Sequence, residues 1–353
     1  MKDSVPSHAA SRRRAIFVNG LFLTQRVTGQ QRYAGEVTRR LAHDPSVRVL
    51  EGPQRARDSA VLNHLWAQTG LPARSATGVL LSMTARSPVL ARRHLLVVHD
   101  LFPVTNPEWY SRKYAITHGA QLTAQVHAAT ALAAVSQPVV DQLRQRYPSK
   151  PVILAPNAPA QLFAGGPERA YDSGASEDGF LLAVGSMDPR KNFARLVHAY
   201  ARLPLDVRKQ HPLWIVGGSG MNFASIGADL TMAGETTRLL GYVDDHELAS
   251  LYQRATAVVV PSLDEGFGLP VVEALAGQAP VVASDIPVFR WVARGSARYF
   301  DPLSEASIAE ALLEAIHRQP SAEERRAGRE DVMTRFTWER TAAALLKAAQ
   351  DLF

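Results

Sequence analysis

Four apolar residues, Ala257–Val260, run into Pro261-Ser262-Leu263-Asp264-Glu265-Gly266-Phe267-Gly268 and then into a helical pattern, Leu269–Ala276. That order confines the chain to few folds. A continuous apolar run is the mark of a strand buried on both faces, which means a parallel sheet covered by helices. The turn after such a strand lies at the carboxyl edge of an open α/β sheet, where ligands bind. The free N–H groups and the dipole of the next helix favour an anion there. Two carboxylates flank this glycine turn, Glu265 within it and Glu273 inside the helix. They suit a ligand with hydroxyls on both sides of a phosphate, as a nucleotide-sugar has. The local alternative is that Glu265 caps the helix and Glu273 is a solvated helix residue, since acids are favoured near helix N-termini in any case.

The same alternation extends along the chain, as in βαβ architectures. Strands are expected at 15–19, 95–98, 130–135 and 152–154, with helices at 32–41, 111–128 and 138–146. A stretch rich in Gly, Ser and acidic residues, 164–178, has the composition of an interdomain linker. A second series then opens with Phe180–Val184 and continues with a helix at 193–203, the strand Leu213–Val216 ending in Gly217-Gly218, the run 237–240, a helix at 245–254 and the strand 280–283. The expected class is α/β, two Rossmann-like halves, with a last helix starting near Phe336-Thr-Trp-Glu.

At 353 residues and 46% hydrophobic content the chain can bury two cores, which excludes a disordered protein. It contains no cysteine, so disulfide and thiolate chemistry are excluded and a reducing compartment is expected. No apolar run approaches the roughly 20 residues of a membrane span. Residues 1–13 are read as a polar tail rather than a signal peptide, because Asn19 and Gly20 interrupt the apolar segment after Arg12–Arg14. Charge is uneven: residues 1–150 carry a net +12 and the remainder −6. A basic first half implies an anionic partner, with solvated surface charge as the alternative. Nothing resembles a nucleic-acid module. An anionic lipid surface or a lipid-diphosphate acceptor is the partner expected.

Departure of a diphosphate needs positive charge where the anion develops. Arg190-Lys191, in Gly185-Ser-Met-Asp-Pro-Arg-Lys-Asn192, lies between the first strand of the second half and a helix. Arg190 offers a planar fork and Lys191 a flexible point charge. Surface cations are the alternative reading, yet the helix dipole disfavours cations at an N-terminus, and that mismatch calls for an anion. In the first half, Gly29 after Thr28 permits close backbone approach at a helix start, or simply a tight turn. His99-Asp100 ends a strand at the carboxyl edge, where His99 could bond a sugar hydroxyl and Asp100 could fix its tautomer or cap the next turn. Ser136 has the position of an N-cap.

Glu265-Gly-Phe-Gly-Leu-Pro270 with Glu273 in register is similar to the signature of retaining nucleotide-sugar glycosyltransferases, specifically glycosyltransferase family 4. The resemblance covers nearly the whole chain and is specific in its second half. It implies a GT-B fold: an acceptor-binding Rossmann-like domain over 1–165, a nucleotide-sugar-binding one over 178–336, a cleft between them, and a helix over 337–353 returning to the first. It implies catalytic roles for Glu265, Arg190, Lys191 and His99. Gly29, Gly185, Gly217, Val243, Gly266, Phe267, Gly268, Leu269 and Glu273 would line the donor, with Glu273 on the ribose diol and Gly217, Gly218 and Gly220 giving the nucleoside room. Pro156-Asn157-Ala158-Pro159 departs from the Pro-Asn-Gly usual in relatives, removing the glycine on which the turn and any role of Asn157 would rest.

The implied reaction is metal-independent transfer of a hexose, mannose as first choice, from a GDP- or UDP-linked donor to a saccharide or polyprenyl-diphosphate acceptor. No further cofactor is expected. The implied setting is surface-polysaccharide assembly in the cytoplasm, at the inner face of the plasma membrane. Acceptor choice would fall to loops at 52–77 and 84–93. A nucleotide-sugar epimerase or sugar-phosphate transferase on the same scaffold, and a non-catalytic scaffold of an assembly complex, are the rival readings. A dinucleotide oxidoreductase is disfavoured, since no Gly-x-Gly-x-x-Gly comes after the first strand.

Overall fold

The computed structural model describes residues 15–25, 28–54, 59–164, 179–218 and 234–353. The polar tail, Arg26 and Val27, most of the linker and Gly220 lie outside these. By contacts the chain divides into two units, one of Met1–Ala134, Val140–Ala155 and Trp338–Phe353, the other of Val135–Val139 and Pro156–Thr337. Against the sequence boundaries of 1–165 and 178–336, Val135–Val139 and Pro156–Ala164 fall with the second unit.

Six parallel strands form the first unit's sheet: β1 (Ile16–Asn19), β2 (Val47–Leu50), β3 (Val79–Ser82), β4 (His94–Val98), β5 (Ala131–Ala134) and β6 (Val152–Leu154), in the order β2-β1-β3-β4-β5-β6. Among its helices, α1 (Gly29–Leu41) comes after β1. The segment 52–77, expected as loop, instead carries α2 (Ala60–Leu65), a π-helical turn (Trp66–Gly70) and α3 (Leu71–Ser75). Ala67 and Leu71 from this run are buried beside Phe17, Leu21 and Leu80, and the gain from covering that core explains the helix. Next come α4 (Phe102–Thr105), α5 (Arg112–Ala128) and α6 (Gln137–Arg146). Ser136 is buried and its hydroxyl accepts the Val139 N–H at 3.4 Å, the expected N-cap.

The second unit opens with α7 (Gln161–Ala164), and its sheet is again parallel: β7 (Leu181–Val184), β8 (Leu213–Val216), β9 (Thr237–Gly241), β10 (Ala257–Val260), β11 (Val281–Ser284) and β12 (Arg298–Phe300), in the order β12-β11-β10-β7-β8-β9. All four residues of β8, β10 and β11 are buried, which is why those strands read as unbroken apolar runs. Between and after them lie α8 (Phe193–Ala201), α9 (Leu205–Gln210), α10 (Asp245–Arg254), α11 (Leu269–Ala276), α12 (Pro287–Ala293), α13 (Glu305–His317) and α14 (Ala322–Arg335). Phe193, Leu196 and Tyr200 of α8 and Ile308 and Leu312 of α13 close one core over this sheet.

The chain finishes in α15 (Trp338–Gln350), which belongs to the first unit. There Trp338 meets Tyr33 of α1 edge-on at 5.6 Å, and Glu339 pairs with Arg40 at 2.7 Å. Among the described residues no helix is long and apolar enough to cross a membrane.

Candidate active site

Two loops at the carboxyl edge of the second sheet build the site, one after β7 and one after β10. In the first, Asp188 accepts the Arg190 N–H at 2.9 Å and starts a short 3-10 turn, Pro189–Lys191. Asn192 then takes the left-handed conformation, φ 58°, which an asparagine tolerates better than most residues. Its amide holds the carbonyls of Pro261 at 3.0 Å and Pro302 at 2.8 Å, so the loop is pinned to the segment just past β10. The Leu263 N–H closes the join on the Arg190 carbonyl at 2.8 Å.

These ties bring Arg190, Lys191 and Glu265 together. Arg190 Nη1 donates to Glu265 Oε2 at 2.9 Å and to the Asp264 carbonyl at 3.0 Å, while Lys191 Nζ donates to Glu265 Oε1. The Ser262 hydroxyl adds a third donor to Glu265 Oε1 at 2.8 Å, and Asp264 accepts the Glu265 N–H at 2.7 Å. Lys191 and Glu265 are buried. Burial alone would raise the Glu265 carboxyl; Lys191 first and then Arg190 overcome it and hold the group down at about 2. Burial pushes the neighbouring Asp264 up. The anion that two cations before a helix N-terminus called for is therefore supplied, in the resting protein, by its own Glu265.

The glycines divide by role. A Cβ on Gly217 would stand 1.7 Å from the Gly185 carbonyl oxygen, and one on Gly185 would press at 3.3 Å on the Lys191 stem. Gly217 was expected to make room for a nucleoside. Its missing side chain leaves room for the backbone of Gly185, letting the ends of β7 and β8 close together. Gly218 meets nothing within 4 Å. Gly268, φ 91°, is the N-cap of α11, and a Cβ there would meet Phe289 at 2.7 Å.

Phe267 was expected to line the donor; its ring is 4% exposed and packs edge-on against Phe336 at 5.2 Å and Trp291 at 6.1 Å. Only its backbone remains for a ligand. Gly266 and Leu269 are half-buried on either side. Glu273 lies on the buried face of α11, where Oε2 accepts the Tyr252 hydroxyl at 3.3 Å. Val243 is half-buried just past Gly241, whose φ is 72°.

In the first unit, Gly29 is the first residue of α1, and the Gln31 side chain reaches back to the Thr28 N–H at 3.2 Å. His99 Nε2 donates to the Met83 carbonyl at 2.9 Å, which fixes its tautomer without Asp100 and leaves Nδ1 as the acceptor. Burial holds the ring down at about 4, so it is neutral. Asp100 caps the next turn by accepting the Phe102 N–H at 3.2 Å.

Known proteins resemble the chain in sequence and in fold. Residues 171–330 match the family described as "Glycosyl transferases group 1", a span that includes the basic loop and the Glu265 turn. The chain carries a group 1 glycosyltransferase domain. It is 31% identical over 273 residues to the serotype-specific mannosyltransferase WbdA of Escherichia coli, across 71% of this chain and 33% of WbdA. It is 30% identical to the O-antigen chain mannosyltransferase RfbU of Salmonella typhimurium, across 66% of this chain and 64% of RfbU. The chain thus spans about a third of WbdA and less than two thirds of RfbU. Among solved structures, WaaG, a glycosyltransferase involved in lipopolysaccharide biosynthesis, superposes with a TM-score of 0.69 at 16% identity, covering 96% of this chain and 99% of that one. The fold is GT-B.

Within the glycosyltransferase domain, Ser262, Asp264 and Asn192 escaped the sequence reading. Ser262 and Asp264 lie three residues and one residue before Glu265, and only the folded turn shows that both bond to it. Asn192 did carry a signal, an asparagine placed directly before an apolar helix.

Proposed function

We propose that this chain is a retaining glycosyltransferase of family 4 that transfers a hexose, mannose as first choice, from a nucleoside-diphosphate sugar to a saccharide or polyprenyl-diphosphate-linked acceptor in surface-polysaccharide assembly. The observation that carries the reading is the Arg190–Lys191–Glu265 cluster at the sheet's carboxyl edge. The mannosyltransferase relatives support the sugar, and the family match supports the reaction class.

In the reaction the bond between the anomeric carbon and the diphosphate oxygen breaks, and one from the acceptor oxygen to that carbon forms on the same face. The acceptor's proton goes to the departing diphosphate. Arg190 and Lys191 meet the charge that develops there, in a buried setting where such contacts count for more than in water. Glu265 sets the spacing of both cations and offers the lone pair left on Oε2 to a sugar hydroxyl. Because the charge is met by side chains, turnover is expected to survive a chelator. The net +12 of residues 1–150 supports contact with an anionic membrane face.

Calorimetric titration with GDP, UDP and their sugar conjugates tests the reading. One nucleotide should bind, Lys191→Ala should weaken it, and transfer should fall by about 100-fold or more in Lys191→Ala and Glu265→Ala. Undiminished transfer by either variant, or a nucleotide that binds wild type and Lys191→Ala alike, would overturn it.

A further inference from the structure

The second unit holds a cavity of about 570 Å³ at the amino edge of its sheet, where β11 and β12 begin, on the edge opposite the Arg190–Lys191–Glu265 cluster. That volume falls in the range of roughly 300–1,000 Å³ typical of small-ligand sites. Its back wall is apolar and buried, made by Leu275, Ala279, Val281 and Ala315. Its charged lining is Arg298, Arg318 and Arg325 against one acid, Glu324.

Three helices, α11, α12 and α13, end at this cavity, and arginines at helix C-termini commonly serve the last carbonyls. Other donors hold that role here. The last four carbonyls of α11 take the N–H groups of Gly277, Gln278 and Ala279 and the Arg329 guanidinium, and those of α12 take the N–H groups of Arg294 and Ser296 and both terminal nitrogens of Arg335. On α13, Gln319 donates to the Ala315 carbonyl. Of the lining charges, Arg298 pairs with Glu314, Arg325 donates to the Pro320 carbonyl at 2.6 Å, and Glu324 helps cap α14 by accepting the Ser321 N–H at 2.7 Å. Arg318 is left over: it is exposed, and its guanidinium has no partner among the described residues. Gln278 is a second open group. It takes the left-handed conformation, φ 61°, just past α11, where glycine or asparagine is favoured, and its side-chain amide also has no partner among the described residues.

An apolar wall behind a mouth with a surplus cation and an open amide fits an anion that has an apolar body. We propose that this cavity is a second ligand site, taking a small organic phosphate or carboxylate whose oxyanion meets Arg318 and Gln278 while its body lies on Leu275 and Val281. A guanidinium fork suits either head group. Since the cavity and the Glu265 turn lie at opposite edges of one sheet, this ligand and a nucleotide do not compete.

Saturation-transfer NMR on the full chain tests the proposal, with 1-naphthyl phosphate and 1-naphthoate as probes and neutral 1-naphthol for comparison. At least one of the two anions should bind, about fivefold or more tighter than naphthol, and the tighter of the two identifies the head group. Arg318→Ala, at an exposed position, and Gln278→Gly, which suits the left-handed backbone, should each weaken that binding about fivefold or more. Arg326→Ala removes an exposed cation of α14 that does not line the cavity, and should bind as wild type does. Excess GDP or UDP should displace nothing. Absence of binding by both anions, equal binding of naphthol, Arg318→Ala or Gln278→Gly binding like wild type, a loss in Arg326→Ala matching that in Arg318→Ala, or displacement by either nucleotide would overturn the proposal. The transferase reading is tested separately, by nucleotide binding at the Glu265 cluster, and either can fail without the other.

Discussion

Two substitutions separate what the carboxylate and the glycines do around Lys191. Glu265→Gln keeps the shape of the side chain but leaves two largely buried cations without their anion, and breaking such a pair costs about 3–5 kcal/mol. The loss should appear in urea unfolding of the second unit, and added nucleotide diphosphate should restore part of it, because it replaces the missing charge. Gly217→Ala acts sterically: a methyl 1.7 Å from a carbonyl oxygen must part β7 from β8, at a cost of about 2–3 kcal/mol by the same measurement. Ala substitution at Gly218, which meets nothing, serves as the control. Arg190, Lys191 and Glu265 were legible as residue types in a pattern. Their mutual pairing was not, since 74 residues separate Lys191 from Glu265 and only the parallel pairing of β7 with β10 brings them together.

At the scale of elements, β4 is bracketed by two histidines that the fold keeps neutral. His94 is fully buried with both ring nitrogens unpartnered, and burial lowers it, like His99, from 6.5 to about 4. The unfolded chain therefore binds protons that the folded unit refuses, so stability is retained above pH 6.5 and falls as pH drops from 6.5 towards 4, by up to about 1.4 kcal/mol per pH unit at His94. Glu265 contributes in a lower window. Its carboxyl goes from 4.5 to about 2, so its contribution stands above 4.5 and is lost on the way down to 2. Acid titration followed by near-ultraviolet circular dichroism should show the first unit weakening before the second, and His94→Leu should shift that first step to lower pH. Strands of unbroken apolar residues, such as β8 and β10, were evident from the sequence. The chain between 42 and 93 was not: β2 carries Arg48 and is exposed in part, and the helices at 60–75 acquire an apolar face only against Phe17 and Leu80.

For the whole molecule, chain order and spatial membership disagree at one place. The last helix, α15, is made after the entire second unit yet is counted with the first, where Trp338 packs on Tyr33 and Glu339 holds Arg40. Its return was anticipated from Phe336-Thr-Trp-Glu, and Trp338 is 3% exposed there. A chain ending at Thr337 should lose amide-exchange protection across β1–β6 while β7–β12 keep theirs, as read by hydrogen exchange with mass spectrometry; equal loss in both sheets would contradict that division. The first unit thus cannot complete its packing until α15 has left the ribosome.

Under the proposed transfer, the Glu265 clasp would have a kinetic corollary for turnover. A site that carries its own counter-ion is never a bare pocket of charge, so an incoming diphosphate has to displace a resident rival rather than fill a void. The same rival stands ready to reclaim both cations as the spent nucleotide lets go. In that reaction, tight product inhibition would be tempered from within.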